Sequence, residues 1–146
     1  MTGGRLDLVV VRRHLAELRR AVANLQQHSD VSATRLRADS DLRWMVERGL
    51  QLCTQNAIDV ATHLSSSAGL DAPDYATAID RLAELGVLPA GFTSVFRNVA
   101  GFRNVLVHGY LDVDLDVIEQ ILGTRLSEFE TFAHHIEVWL EGRTAK

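Results

Sequence analysis

The sequence predicts an all-α fold, an antiparallel bundle of about five helices, on three observations. Apolar residues recur at steps of three and four through most of the chain, the repeat that keeps one face of a helix against a core. Gly and Pro number only ten and two in 146 residues, so few points interrupt that periodicity. Aromatic and β-branched residues do not gather into the short alternating runs that mark strands.

Leu8, Val11, Leu15, Leu18, Val22 and Leu25 define the first helix, between Arg5 and His28, with a narrow heptad-like seam. Such a seam suits packing within the chain or packing on another subunit. The Ser/Thr/Asp-containing stretch Ser29 to Ser40 leads to the second helix, whose apolar positions are Leu42, Val46, Leu50, Cys53, Ala57, Val60 and Leu64. Ser40 is its candidate N-cap, and Ser65-Ser66-Ser67-Ala68-Gly69 its stop. A shorter third helix spans Tyr75 to Leu85, approached through Asp71-Ala72-Pro73-Asp74 and closed by Gly86. The fourth starts near Pro89, presents Phe92, Val95, Phe96, Val99 and Phe102 or Leu106 to the core, and frays or ends close to Gly109. The last runs from about Asp114 to Glu141 through Ile118, Ile121, Leu122, Leu126, Phe129, Ala133, Ile136 and Leu140. Asp114 and Asp116 lie where the positive end of its dipole favours them. Short connections return each helix beside its predecessor, hence the antiparallel arrangement.

A chain of this length supports one domain over 1–146. Its 47% apolar and 23% charged residues place it with folding globular proteins rather than disordered ones. No stretch reaches the roughly 18 consecutive apolar residues of a membrane span. Met1-Thr2-Gly3-Gly4-Arg5 leads into charged sequence without a secretory core, so a cytoplasmic protein with no membrane partner is expected. Cys53 is the only cysteine, which excludes an internal disulfide and a multi-thiolate zinc site; its apolar neighbourhood suits a buried filler. The net charge of -4 argues against a protein that coats itself in nucleic acid. That charge is uneven: residues 1–70 sum to +2 and residues 71–146 to -6, so the front half is the better RNA-facing candidate. Fourteen of the fifteen basic side chains are Arg, whose planar fork suits phosphate, though genomic base composition produces the same bias.

The glycine loops that cradle nucleotide phosphates are absent, as is the H-E-x-x-H helix of zinc proteases. None of the six histidines forms an i, i+4 pair, and adjacent His134 and His135 diverge by roughly 100° on a helix. Neither a metal site nor a cofactor is expected. One cluster remains: Arg103-Asn104-Val105-Leu106-Val107-His108-Gly109-Tyr110, polar groups set into a strongly apolar helix beside a glycine. Arg offers fixed donors for a phosphate, and His both takes and gives a proton near neutrality. That pair suits RNA cleavage without metal, in which the 2′-hydroxyl attacks its own 3′-phosphate. Arg103 and His108 would lie roughly 140° and 7.5 Å apart on a regular helix and so would not share a face. Either the helix ends before His108, or each site combines groups from two chains. Arg103 and Tyr110 would share a stripe on an unbroken helix, which Gly109 makes doubtful. Purely structural roles are the competing reading: Arg on a carboxylate, His closing a helix, Tyr anchoring a loop.

The string Arg103-Asn104-x-x-x-His108-Gly109-Tyr110 resembles the R-x4-H-x-Y signature of HepT-like HEPN proteins. Glu47-Arg48-x-Leu50-Gln51, Ala57-Ile58-Asp59, Pro73-x-Tyr75 and Val113-Asp114 are similar too, so the resemblance covers about residues 40 to 130. It implies a ribonuclease toxin of a type VII-like toxin-antitoxin pair, a helical bundle forming a homodimer that brings two R-x4-H motifs into one cleft. On that resemblance Arg103 binds the scissile phosphate, His108 acts as acid or base, and Asn104 orients phosphate or His. Tyr110 is the residue that a partner MNT-type nucleotidyltransferase antitoxin modifies with AMP, blocking access of the RNA, whether tRNA or mRNA. Asn56, Asp59 and His63 form a polar stripe on the second helix. Its use is structural within the bundle, or Asp59 reaches the cleft rim and orients His108 or Arg103. The alternative function is a non-catalytic HEPN module that binds a nucleotide or a partner through the same cleft.

Overall fold

The computed structural model describes residues 5–108 and 113–144, and of Val107, His108 and Thr144 the backbone alone. Among the described residues all regular structure is helical, in eight segments. These are α1 (Leu8–Gln26), α2 (Ala33–Ala38), α3 (Ser40–Ser67), α4 (Tyr75–Glu84), α5 (Ala90–Phe96), α6 (Val99–His108), α7 (Leu115–Thr124) and α8 (Leu126–Thr144). No helix among them is long and apolar enough to cross a membrane.

The five expected helices are present, but two are divided and one short helix is added. The fourth breaks into α5 and α6 at Arg97 and Asn98, where the N–H groups of Asn98 and Ala100 bond three residues back, to Val95 and Arg97. Arg97 turns its guanidinium onto Asp80 of α4, with Nε–Oδ1 at 3.0 Å and Nη2–Oδ2 at 3.2 Å, and so anchors the turn. The last helix breaks at Arg125, whose carbonyl accepts from Glu128 N–H while its side chain forks onto the Glu128 carboxylate. α2 occupies the stretch read as a connection. Ser32 caps it, accepting from Arg35 N–H at 3.1 Å, and Glu119 of α7 accepts from Ala33 N–H at 2.6 Å.

Two smaller expectations are corrected. Asp39 rather than Ser40 caps α3, accepting from Leu42 N–H at 3.1 Å, since a carboxylate adds favourable charge at that helix end. Val95 is exposed because the break at Arg97 lets α5 turn on its own phase, with Thr93 and Phe96 inward. Gly86 closes α4 as read, at φ +75°, where a side chain would be strained.

α3 is the central element, packed on α1, α4 and α6. It runs antiparallel to α1. Asp7 N–H donates to His63 Nε2 at one end, His14 meets Asn56 midway, and Gly49 faces Leu25 at the other. A Cβ on Gly49 would lie 2.7 Å from Leu25 Cδ2, so its absence sets how closely the two helices approach. α6 is also antiparallel to α3, with Gln51 bonded to Leu106 and Gln55 to Arg103. α8 lies on α1, and Arg19 bridges to Glu137 at 2.8 Å. Phe96 stacks on Phe132 with centroids 4.8 Å apart and meets Phe129 edge-on at 5.8 Å, which ties α5 to α8.

Phe132 is fully buried, so Phe132→Ala is expected to lower unfolding free energy by about 3–5 kcal/mol in urea titrations. On the same helix Val138 is 52% exposed, and Val138→Ala should change it by less than about 0.5 kcal/mol.

Candidate active site

α6 is helical from Val99 through His108. Of the two arrangements the spacing allowed, a helix that ends before His108 is therefore removed. The two positions stand roughly 140° apart around one helix and about 7.5 Å apart along it. Gly91 and Phe92 lie far back on α5; on α6 itself Val99, Ala100 and Leu106 are buried, Gly101, Asn104 and Val105 are exposed, and Arg103 is half-buried between them.

α3 fixes how Arg103 sits. Its Nε donates to Gln55 Oε1 at 3.0 Å, and Gln55 Nε2 donates to Asp59 Oδ1 at 2.8 Å. Arg103 Nη1 also donates to Asn104 Oδ1 at 3.3 Å, and the guanidinium lies over the Tyr75 ring, 5.2 Å from its centroid. One turn away, Gln51 Nε2 donates to the Leu106 carbonyl at 3.1 Å, a partner for an acceptor near the end of α6. Arg103, Asn104 and Asp59 are thus brought together, with Asp59 reaching Arg103 through Gln55 rather than directly. The backbone of His108 belongs to the same helix. Tyr110 and Gly109 lie outside the described residues.

The rest of the polar stripe on α3 ties the bundle. His14 Nδ1 is 2.8 Å from Asn56 Oδ1 and 4.0 Å from Asp59 Oδ2, Asn56 Nδ2 donates to the Leu52 carbonyl, and His63 accepts from Asp7 N–H. Gln55 and Tyr75 are the two site residues that the sequence reading assigned no role. The available signal was Gln51 and Gln55, four residues apart on a largely apolar helix; nothing local linked either to α6.

Beside Arg103 a groove of about 600 Å³ is lined by Pro73, Asp74, Tyr75, Ala76, Ala100, Gly101 and Asn104, room for a nucleotide-sized ligand. Asp74 caps α4 by accepting from Thr77 N–H at 2.7 Å. That bond, helped by the charge of Arg97, holds its carboxyl below the ordinary 3.8, so the groove carries a fixed negative charge at neutral pH. Cys53 faces the core, and burial pushes its thiol up to about 12, which removes it as a nucleophile. Among the described residues no group of three or more His, Cys, Asp or Glu side chains is placed to hold a metal ion.

A family model described as ribonuclease HepT-like matches residues 13–136. The chain belongs to the HepT-like ribonuclease family. It is 26% identical over 125 residues to the mRNA nuclease HepT of Shewanella oneidensis, covering 84% of this chain and 92% of that protein. It is 25% identical over 138 residues to the tRNA nuclease HepT of Aphanizomenon flos-aquae, covering 92% of each. Among solved structures, the tri-AMPylated HEPN toxin of Shewanella oneidensis in complex with its MNT antitoxin has the same fold. Its TM-score is 0.76 at 23% identity, over 88% of this chain and 97% of that one. YutE of Bacillus subtilis, a cytosolic protein of unknown function, matches at a TM-score of 0.79 and 17% identity, over 94% and 93%. This HepT-like chain carries its Arg-x4-His string on α6.

Two measurements follow. The thiol of Cys53 should resist maleimide at pH 8 in the folded chain and react after unfolding in urea; rapid labelling of the native chain would contradict its burial. Because the folded Asp74 value is depressed, its stabilising contribution is complete above 3.8 and fades as pH falls through the lower folded value. Asp74→Ala should therefore melt below the parent at neutral pH, and the gap in Tm should close on acidification below 3.8.

Proposed function

We propose that this protein is the toxin of a type VII-like toxin-antitoxin pair, a metal-independent endoribonuclease held in check by AMPylation of Tyr110. The observation that carries the reading is the state of Arg103. Five arginines are half-buried, and Arg19, Arg43, Arg81 and Arg125 each face a carboxylate. Among the described residues Arg103 has only uncharged partners, Gln55, Asn104 and Tyr75. A partly desolvated guanidinium left without a counter-charge is a site for an anion, and beside it lies a groove of nucleotide size.

On this reading a base, His108, takes the 2′-hydroxyl proton as the 2′-oxygen bonds to phosphorus. The phosphorus–5′-oxygen bond breaks, and an acid returns a proton to the departing oxygen. The products are a 2′,3′-cyclic phosphate and a 5′-hydroxyl. Arg103 binds the phosphate and stabilises the charge that gathers on its oxygens at the crowded phosphorane. Asn104 and Asp59 support that arrangement. One chain's α6 turns the Arg103 and His108 positions apart, so a homodimer that pairs Arg103 of one copy with His108 of the other completes each site. RNA, a tRNA or an mRNA, is the substrate class named for the two curated relatives. An MNT-type nucleotidyltransferase is the partner by analogy with the AMPylated toxin complex. AMP on Tyr110, two residues beyond His108, would place a bulky anion where the RNA phosphate must enter.

The purified chain should cut RNA in EDTA and leave cyclic phosphate ends, and Arg103→Ala or His108→Ala should each lower the rate about 10²–10⁴-fold. Mixing the two inactive variants should restore activity if each site draws on two chains; no restoration removes the two-chain site. After coexpression with the partner nucleotidyltransferase, intact mass should show AMP on the parent and none on Tyr110→Phe. Retention of partner binding with no cleavage by the unmodified chain would instead favour a non-catalytic HEPN module.

A further inference from the structure

We propose that Gln55 is a positioning residue that aims the Arg103 guanidinium while leaving its positive charge uncancelled. The inference rests on the ribonuclease reading only in naming RNA phosphate as the anion.

The Gln55 amide is held by a different chemical group at each end. Asp59 Oδ1 can only accept, so it takes the amide N–H; Arg103 Nε can only donate, so it takes the amide oxygen. The amide therefore has one workable orientation, and that orientation presents a carbonyl oxygen to Arg103. The Tyr75 ring fixes the flat face of the guanidinium, and Gln55 fixes its Nε edge. What remains is the Nη side, where the contact to Asn104 is long at 3.3 Å and open to displacement by a phosphate oxygen.

The choice of an amide has an electrostatic consequence. Asp59 carries the nearest charge in this chain of contacts, and it stands one whole side chain back from Arg103. A carboxylate at position 55 would meet Nε directly, as Glu47 meets Arg43 Nε at 2.9 Å on the same helix. It would keep the contact to Nε but neutralise the group an anion needs, and it would lose the N–H that Gln55 gives to Asp59. Gln55 supplies the orientation without the counter-charge.

Two variants separate aim from charge. The probe is a fluorescein-labelled 2′-O-methyl oligoribonucleotide, which lacks the nucleophile and reports binding alone; cleavage is read on an unmodified RNA of the same sequence. Gln55→Glu should weaken probe binding about 5–50-fold by removing a charge-assisted contact, and flatten the slope of log K against log salt by about 0.7, one phosphate contact on a single strand. Its Tm should stay level or fall slightly, because the new contact to Arg103 is offset by a second carboxylate facing Asp59. Gln55→Leu keeps the charge but releases the aim, so the salt slope should stay and kcat should fall about 10–100-fold with KM little changed. Parent-like affinity and salt slope in Gln55→Glu would overturn the proposal. If that variant does not fold, Gln55→Leu decides, and a parent-like kcat overturns it. A parent that binds the probe yet cuts no RNA would remove the ribonuclease reading and leave the binding comparison to judge Gln55. A parent that does not bind the probe overturns both.

Discussion

A helix of 28 residues with apolar groups around most of its circumference has to be covered on several sides at once, and α3 is that helix. At roughly 42 Å it is the longest element, and α1, α4 and α6 are each placed by what they bury against it. One side of α3 carries a narrow polar row, Arg48, Gln51, Gln55 and Asp59, at steps of three and four. Along this row α3 meets α6. The geometry at Arg103 is therefore set by a helix that the core already holds in place, which is the firmest foundation a polar site has.

The cost of the site is electrostatic. Removing part of the hydration of a guanidinium without supplying a carboxylate is unfavourable, and the other half-buried arginines avoid it. At Arg103 an amide oxygen and an aromatic face recover part of the lost solvation through dipole and quadrupole, which fall off faster with distance than a full charge does. Asp74 adds a fixed negative charge on the groove wall. Among the described residues, a chain with net charge -4 thus leaves one half-buried guanidinium without a carboxylate partner. Stability is given up locally where a ligand can restore it.

The helices were legible because burial imposes a period on the sequence, and Leu15, Leu18, Val46, Leu50, Ile118 and Ile136 all lie where that period put them. What was not legible depended on partners far along the chain. The first N–H of α2 is taken by Glu119, 86 residues away, and the turn between α5 and α6 is held by Arg97 on Asp80. The contact of Arg97 with Asp80 leaves no glycine or proline at the turn, so spacing alone joined α5 to α6. Arg103, Asn104 and Asp59 could be singled out as polar residues on apolar helices. Gln55 could not, because its meaning lies in Arg103, 48 residues on.

Continuity of α6 bears most directly on how such a site can work. A helix that stopped short of position 108 would have allowed one chain to turn that position back toward Arg103. With His108 inside the helix, the five-residue spacing turns the two positions onto different sides. In the proposed homodimer, a two-fold arrangement would bring position 103 of one chain to position 108 of the other. On the proposed reading, the spacing that disables the isolated helix is what makes two copies complementary. On that reading cleavage would depend on assembly as well as on the aim that Gln55 gives Arg103.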